Sequence, residues 1–317
     1  SLMAPKTVAA ILDEVAKQWT VDEHAEIQLE ANPTSSDSST FRDFHSAGIN
    51  RLSLGIQALQ DDALKFLGRT HSAAEGLTAA QIGAAVFNRI SIDLIYGRPK
   101  QSTDDWHREL KKALDLVDDH ISVYQLTIEK GTPFYDLHRR GALELPPDKK
   151  AEGLYETTQK VLDEAGLPSY EISNHARPGG ESRHNLAYWR YEDYLGIGPG
   201  AHSRIAVNSK ILAIEQFRTP QRWLQATGQE NGGTLRKTAL SQAESIREMI
   251  MMGLRLKIGL NKAWFEDRTG VNLDDAINVP ATKNLESAGL IINEKERLRM
   301  TTLGFMVLNS VLAKILI

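Results

Sequence analysis

Four short strand-forming runs, each followed by a loop and a helical stretch, constrain this chain more than any other feature. The runs cover residues 25–31, 51–57, 90–96 and 120–128. Helical patterns fall at 38–47, 61–67, 73–80 and 103–116, with one more helix ahead of them at 3–18, where Val8, Ile11, Leu12 and Val15 share a face. Strand–helix alternation of this kind builds βα units around a parallel sheet. Four units are too few to close an eight-stranded barrel. The expected fold is therefore α/β, an incomplete TIM-type βα barrel with parallel strands.

The runs carry an unusual parity. Ile27, Leu29 and Ala31 alternate with Glu26, Gln28, Glu30 and Asn32. Leu52, Leu54 and Ile56 alternate with Arg51, Ser53, Gly55 and Gln57, and Ile92, Leu94 and Tyr96 with Ser91, Asp93 and Ile95. In the fourth run Gln125 and Thr127 share a parity, read as the same polar one. Strands covered on both faces normally read as near-continuous apolar runs. One polar parity on four strands predicts a polar cavity, with Glu30, Gln57 and Asp93 converging in it.

Downstream, a helix over 148–164 precedes Gly166 and a YEIS strand at 170–173, then an irregular segment over 174–204 and a connection over 211–223. Helices follow at 244–256, 262–269 and 276–288, then a two-stranded wing in GLIINEKERLRMTTLG and a final helix over 302–316. The expected domains are the partial barrel over 1–205, a connection over 206–240 and a mostly helical, winged-helix-like domain over 241–317. A winged helix invites a nucleic-acid reading. Its third helix is poor in Arg and Lys and interrupted by Pro280, and the formal net charge is -4, so no nucleic-acid partner is expected. No apolar run reaches membrane-span length, and 7–18 is amphipathic rather than a signal-peptide core. There is no cysteine among the 317 residues, which excludes disulfides and thiolate metal ligands in this chain.

Between Glu30 and Arg204 the strings EANP, NRLSLGIQ, IDLIYGRP, YQLTIEKGTPF, RHNLAYW and DYLGIGPGAHSR occur in order. Together they resemble the HemW-type heme chaperones, radical S-adenosylmethionine (SAM) proteins grouped with the oxygen-independent coproporphyrinogen III oxidases. The resemblance implies SAM and heme as ligands, and a four-iron four-sulfur cluster held by a cysteine triad on the first barrel strand. The opening SLMAP is similar to the stretch just after the family's glycine-rich GGGTPSL segment. The family's first two strands are thus expected upstream of Ser1, and the cluster only in the intact protein.

The resemblance also assigns residues. Glu30, Gln57 and Asp93 match SAM contacts, and Thr127 joins them. Arg69 matches a contact to a second SAM in the oxidases, or else makes a surface ion pair. His202 falls where the oxidases meet SAM through backbone, and its three preceding glycines alone mark only a tight turn. His184, Asn185 and Tyr188 of RHNLAYW match the heme-binding motif of the chaperone branch, with Asn185 otherwise a helix cap. Ser182 stands where many relatives have cysteine. No catalytic residue and no metal ligand is expected in this chain, and without cysteines it is expected to lack enzyme activity. The implied function is a cytoplasmic heme chaperone delivering heme to acceptor proteins, meeting membranes only through those acceptors. The alternatives are a coproporphyrinogen III oxidase and a cluster-less heme-binding paralogue.

Overall fold

The computed structural model describes residues 2–35, 37–208, 210–229 and 232–316. It resolves into two compact units, Ser1–Glu181 and Ser182–Ile317.

The first unit is an open five-stranded sheet. Strands β1 (Gln28–Ala31), β2 (Arg51–Gln57), β3 (Arg89–Tyr96) and β4 (His120–Gln125) are parallel neighbours in that order. Strand β5 (Asn174–Ala176) runs antiparallel along β4. The crossovers are the helices expected from the pattern. Ala73–Val86 and Thr103–Leu114 both begin in reciprocal capping boxes, Ser72 with Glu75 and Ser102 with Asp105. Leu52, Leu54, Ile56, Ile92, Leu94 and Ile121 are fully buried. Each such side chain stabilises the fold by roughly 1.5–3 kcal/mol. Tyr96 stacks on Trp106, whose indole nitrogen donates to Thr158 at 2.8 Å, tying β3 to two covering helices.

The YEIS strand is displaced to Asn174–Ala176. Glu171 is buried, and its carboxylate accepts from the Ser173 amide at 3.2 Å and from the Asn174 side chain, which bends the chain where a strand was expected. The fourth run also stops early, at Gln125, so Thr127 lies beyond the sheet.

In the second unit, β6 (His202–Val207), β7 (Lys210–Gln216) and β8 (Thr234–Ala239) form an antiparallel meander. The stretch expected as a connection thus holds strands β7 and β8 and the helix Pro220–Thr227, and Leu212 and Ile214 pair in register with both neighbours of β7. The C-terminal part sets helices Gln242–Gly253, Lys262–Thr269 and Val279–Ser287 against a small sheet of β9 (Leu260–Asn261), β10 (Ile291–Asn293) and β11 (Arg297–Met300), in the order β10-β11-β9. The wing is the β10–β11 hairpin. The third helix starts at Val279, with Pro280 in its first turn, where the missing amide proton costs nothing. The final helix is broken at Val307, whose ψ of 27° leaves the helical region.

Candidate functional site

Parallel register sorts the polar parity of the first unit into rows. Glu30 pairs with Ser53, Ser53 with Ser91, and Ser91 with His120; Asp93 pairs with Ser122. Paired residues of adjacent strands share a face, so these side chains occupy one face of the sheet, opposite the apolar core.

On β4 that face is carried by His120, Ser122 and Tyr124, which pair with Ser91, Asp93 and Ile95. Gln125 pairs with Tyr96 and belongs to the apolar parity of Ile121 and Val123. The expected contribution of Gln125 and Thr127 is therefore corrected. A one-residue error in register moves every side chain to the other face, and Thr127 is exposed in the loop past the strand end.

At the N-terminal ends of the strands the charged residues pair with one another. The Glu26 carboxylate meets Arg51 at 3.1 Å and Arg89 at 2.9 Å, and Arg89 also meets Asp119 at 2.9 Å. Arg51 and Glu26 are almost wholly buried. Arg89 donates in addition to the Gly180 carbonyl at 2.6 Å. This end is closed by opposite charges.

Towards the C-terminal ends the arrangement changes. Asp93 accepts from the Ser53 hydroxyl at 3.3 Å and from Ser122. Burial, reinforced by the neighbouring Glu30 carboxylate, pushes its carboxyl up to about 7 against hydrogen bonds from Ser122 and Ser53 and the positive charge of Arg69. Glu30 is exposed and accepts from the Gln28 side chain. Glu30, Arg69 and Asp93 are thus brought into one electrostatic neighbourhood.

Gln57 joins that face by a different route. The β2–β3 register shifts between Leu54 and Gln57, and Gln57 adopts a left-handed φ of 72°. Its amide nitrogen lies 3.0 Å from where a Cβ on Gly55 would sit, with Asn32 Oδ1 at 3.7 Å. Gly55 therefore makes the space into which the Gln57 amide folds.

Beside this face the loop after β3 is fastened from below. Buried Glu109 accepts from the Leu59 amide at 2.7 Å and pairs with Arg98. Gln101 accepts from the amides of Gly97 at 2.8 Å and Arg98 at 3.2 Å. Sequence reading passed over Glu109, Gln101, His120 and Ser122. The even spacing of His120, Ser122 and Tyr124 was the available signal for the face; Glu109, inside an amphipathic helix, offered none.

In the second unit RHNLAYW is the helix Arg183–Trp189. Its cap is Ser182, whose hydroxyl accepts from the Asn185 amide at 3.3 Å. Asn185 is thus inside the first turn, and the alternative reading of it as the helix cap is corrected. His184 and Tyr188 share a face: Nε2 lies 2.9 Å from the tyrosine hydroxyl, and the Tyr188 ring packs edge-on against Tyr194. His184 is exposed. Trp189 borders a cavity of about 390 Å³ with Leu256, Ile258, Leu260, Trp264 and Arg297. His202 opens β6, exposed and opposite Glu215. The glycines before it serve the turn: a Cβ on Gly196 would stand 2.1 Å from the His202 carbonyl oxygen, and Gly198 and Gly200 have φ of 111° and 74°. Among the described residues, no group of three or more His, Asp or Glu side chains is placed to hold a metal ion.

Comparison with known proteins adds four findings. Residues 240–307 match the model of the HemN C-terminal domain. The whole chain is 39% identical to the Bos taurus protein named radical S-adenosyl methionine domain-containing protein 1, mitochondrial, of which it covers 73%. It is 34% identical to the heme chaperone HemW of Bacillus subtilis over 90% of this chain and 75% of that protein. Among solved structures, coproporphyrinogen III oxidase (HemN) from Escherichia coli, a radical SAM enzyme, superposes with a TM-score of 0.77 over 98% of this chain and 74% of its own, at 19% identity. That likeness concerns the fold.

Proposed function

This chain belongs to the radical SAM family of the HemW and HemN proteins, and from that premise we propose that it binds heme and passes it to acceptor proteins. The observation that carries the reading is the exposed His184 imidazole, braced by Tyr188 within RHNLAYW. A neutral imidazole is a good axial ligand to heme iron, and the Tyr188 ring adds flat apolar surface beside it. SAM is assigned to the polar face of the first unit. There Glu30 and Asp93 would accept from its ammonium group and ribose hydroxyls, with Gln57 and Arg69 alongside and Thr127 as a further contact from the loop past the strand end. In radical enzymes bound SAM supplies a carbon radical when a cluster reduces it. The cluster itself does not fit this chain, which has no thiolate to hold it, and no step is derived through it. Anaerobic reconstitution of this chain is expected to leave iron and sulfide far below four per chain; a stoichiometric four-iron cluster would refute that.

Heme titration followed by absorption tests the main reading. His184→Ala is expected to change the Soret band and weaken binding by roughly tenfold, a loss of about 1.4 kcal/mol. His202→Ala should leave both unchanged. Equal spectra and affinities for wild type and His184→Ala would remove His184 from the mechanism, and a loss in His202→Ala would move the ligand there. No described helix is long and apolar enough to cross a membrane. The cytoplasm is proposed as the site of action, and cell fractionation decides between it and the mitochondrion named for the Bos taurus relative.

A further inference from the structure

The polar face contains a buried string of hydrogen-bonding groups that the cofactor reading leaves unused. Ser122 donates to Asp93. Its oxygen lies 3.5 Å from Ser91 Oγ, which lies 2.7 Å from His120 Nδ1. On the far side of the ring, His120 Nε2 lies 2.9 Å from the Tyr170 hydroxyl. Ser91, His120 and Ser122 are 1%, 2% and 4% exposed, so water does not compete for these bonds.

Each hydroxyl has one proton to give. The string can therefore run in two directions. With Asp93 ionised, its carboxylate only accepts. Ser122 then donates to Asp93, Ser91 to Ser122, His120 Nδ1–H to Ser91, and the Tyr170 hydroxyl to Nε2. With Asp93 protonated and donating to Ser122, every bond reverses. Only a neutral imidazole, with one N–H and one lone pair, serves both directions. Burial, with Arg51 and Arg89 nearby, keeps His120 well below the usual histidine range and hence neutral.

We propose that Ser122, Ser91 and His120 are positioning residues for Asp93, fixing its carboxylate as an acceptor for a cationic ligand on the polar face. The proposal rests on reading that face as the site for SAM, whose ammonium and sulfonium groups are both positive. Facing Asp93 are Glu30 from β1, Ser53 from β2, Ser122 and Tyr124 from β4, and Arg69 from the loop before Ala73–Val86. Facing His120 are Arg51, Arg89, His175 and Tyr170. Glu30 opposes the ionised state of Asp93 and Arg69 favours it. When it runs toward Asp93, the string adds hydrogen-bond donation to the ionised form, against burial and Glu30.

The test is a carbon-13 NMR titration of the Asp93 carboxyl in the free chain, joined to calorimetry with SAM. Ser122→Ala removes a donor to the charged form, so the Asp93 midpoint is expected to rise by about half to one pH unit. His120→Leu should raise it by less. His120→Asn, which keeps an N–H near the position of Nδ1–H, should restore it. At pH 7 the SAM dissociation constant of Ser122→Ala should rise roughly two- to fivefold, and the gap should close as pH rises by about two units. An unchanged midpoint in Ser122→Ala and His120→Leu, with both variants folded by circular dichroism, overturns the proposal. Failure of wild type to bind SAM at any pH would remove the cofactor reading and the ligand half of this proposal. The free-chain titration still decides the control of Asp93 separately.

Discussion

The two ends of one polar sheet face answer the same problem in opposite ways. At the N-terminal ends of the strands, Glu26, Arg51, Arg89 and Asp119 pair acid with base inside the fold. At the C-terminal ends, Glu30 and Asp93 set acid near acid, with Arg69 as the positive neighbour and hydroxyls as donors. Polar parity alone therefore does not locate a site. Charge balance separates the two: the first end pairs Glu26 and Asp119 with Arg51 and Arg89, whereas the second sets Glu30 beside Asp93, and the proposed site for a positive ligand is put there for that reason. This agrees with the general placement of ligands at the C-terminal ends of parallel strands.

Removing charge should accordingly have opposite signs at the two ends. Glu26→Ala leaves Arg51 and Arg89 without their shared carboxylate, and is expected to cost about 3–5 kcal/mol in urea denaturation. A loss below about 1 kcal/mol would mean that the N-terminal network is dispensable.

Asp93→Asn should instead stabilise the protein at neutral to alkaline pH. The folded Asp93 carboxyl titrates at about 7 against an ordinary value of 3.8. Between those values the folded state holds more protons than the unfolded one, so stability falls as pH rises through this window and then levels off. The variant lacks that decline, and above pH 7 its advantage should be about 1–4 kcal/mol. Parallel stability–pH curves for wild type and variant would contradict the assignment.

Ser53→Ala sharpens the same contrast by a smaller amount. Losing its 3.3 Å bond should raise the Asp93 midpoint by about half a pH unit and leave the Glu26 network untouched. A fall in the midpoint would reverse the role given to this hydroxyl.

Much of this was legible in the sequence, and the failures have physical causes. β2 is legible to the residue because Leu52, Leu54 and Ile56 alternate with Arg51, Ser53, Gly55 and Gln57. The convergence of Glu30 and Asp93 followed from parity. β4 went wrong because its polar alternation lies at His120, Ser122 and Tyr124, whereas the more polar string, Gln125 and Thr127, continues past the strand end. Nothing in the sequence predicts that Gln57 turns back over Gly55, since a left-handed glutamine is a property of the register shift. Ser182 was passed over as a cap because Asn185 offered the same chemistry three residues later. The split of the polar parity into a paired end and an acid-rich end needed register, which only the folded sheet supplies.

The most direct test of that split is a SAM titration followed by NMR at the Asp93 carboxyl, with the Asp119 carboxyl as the reference from the paired end. The account predicts that saturating SAM shifts the Asp93 resonance and lowers its midpoint below about 7, because a bound cation favours the ionised form. Asp119 should not respond. An unmoved Asp93 midpoint under saturating SAM, or an equal response at Asp119, would contradict the claim that the C-terminal ends of these strands form the ligand site.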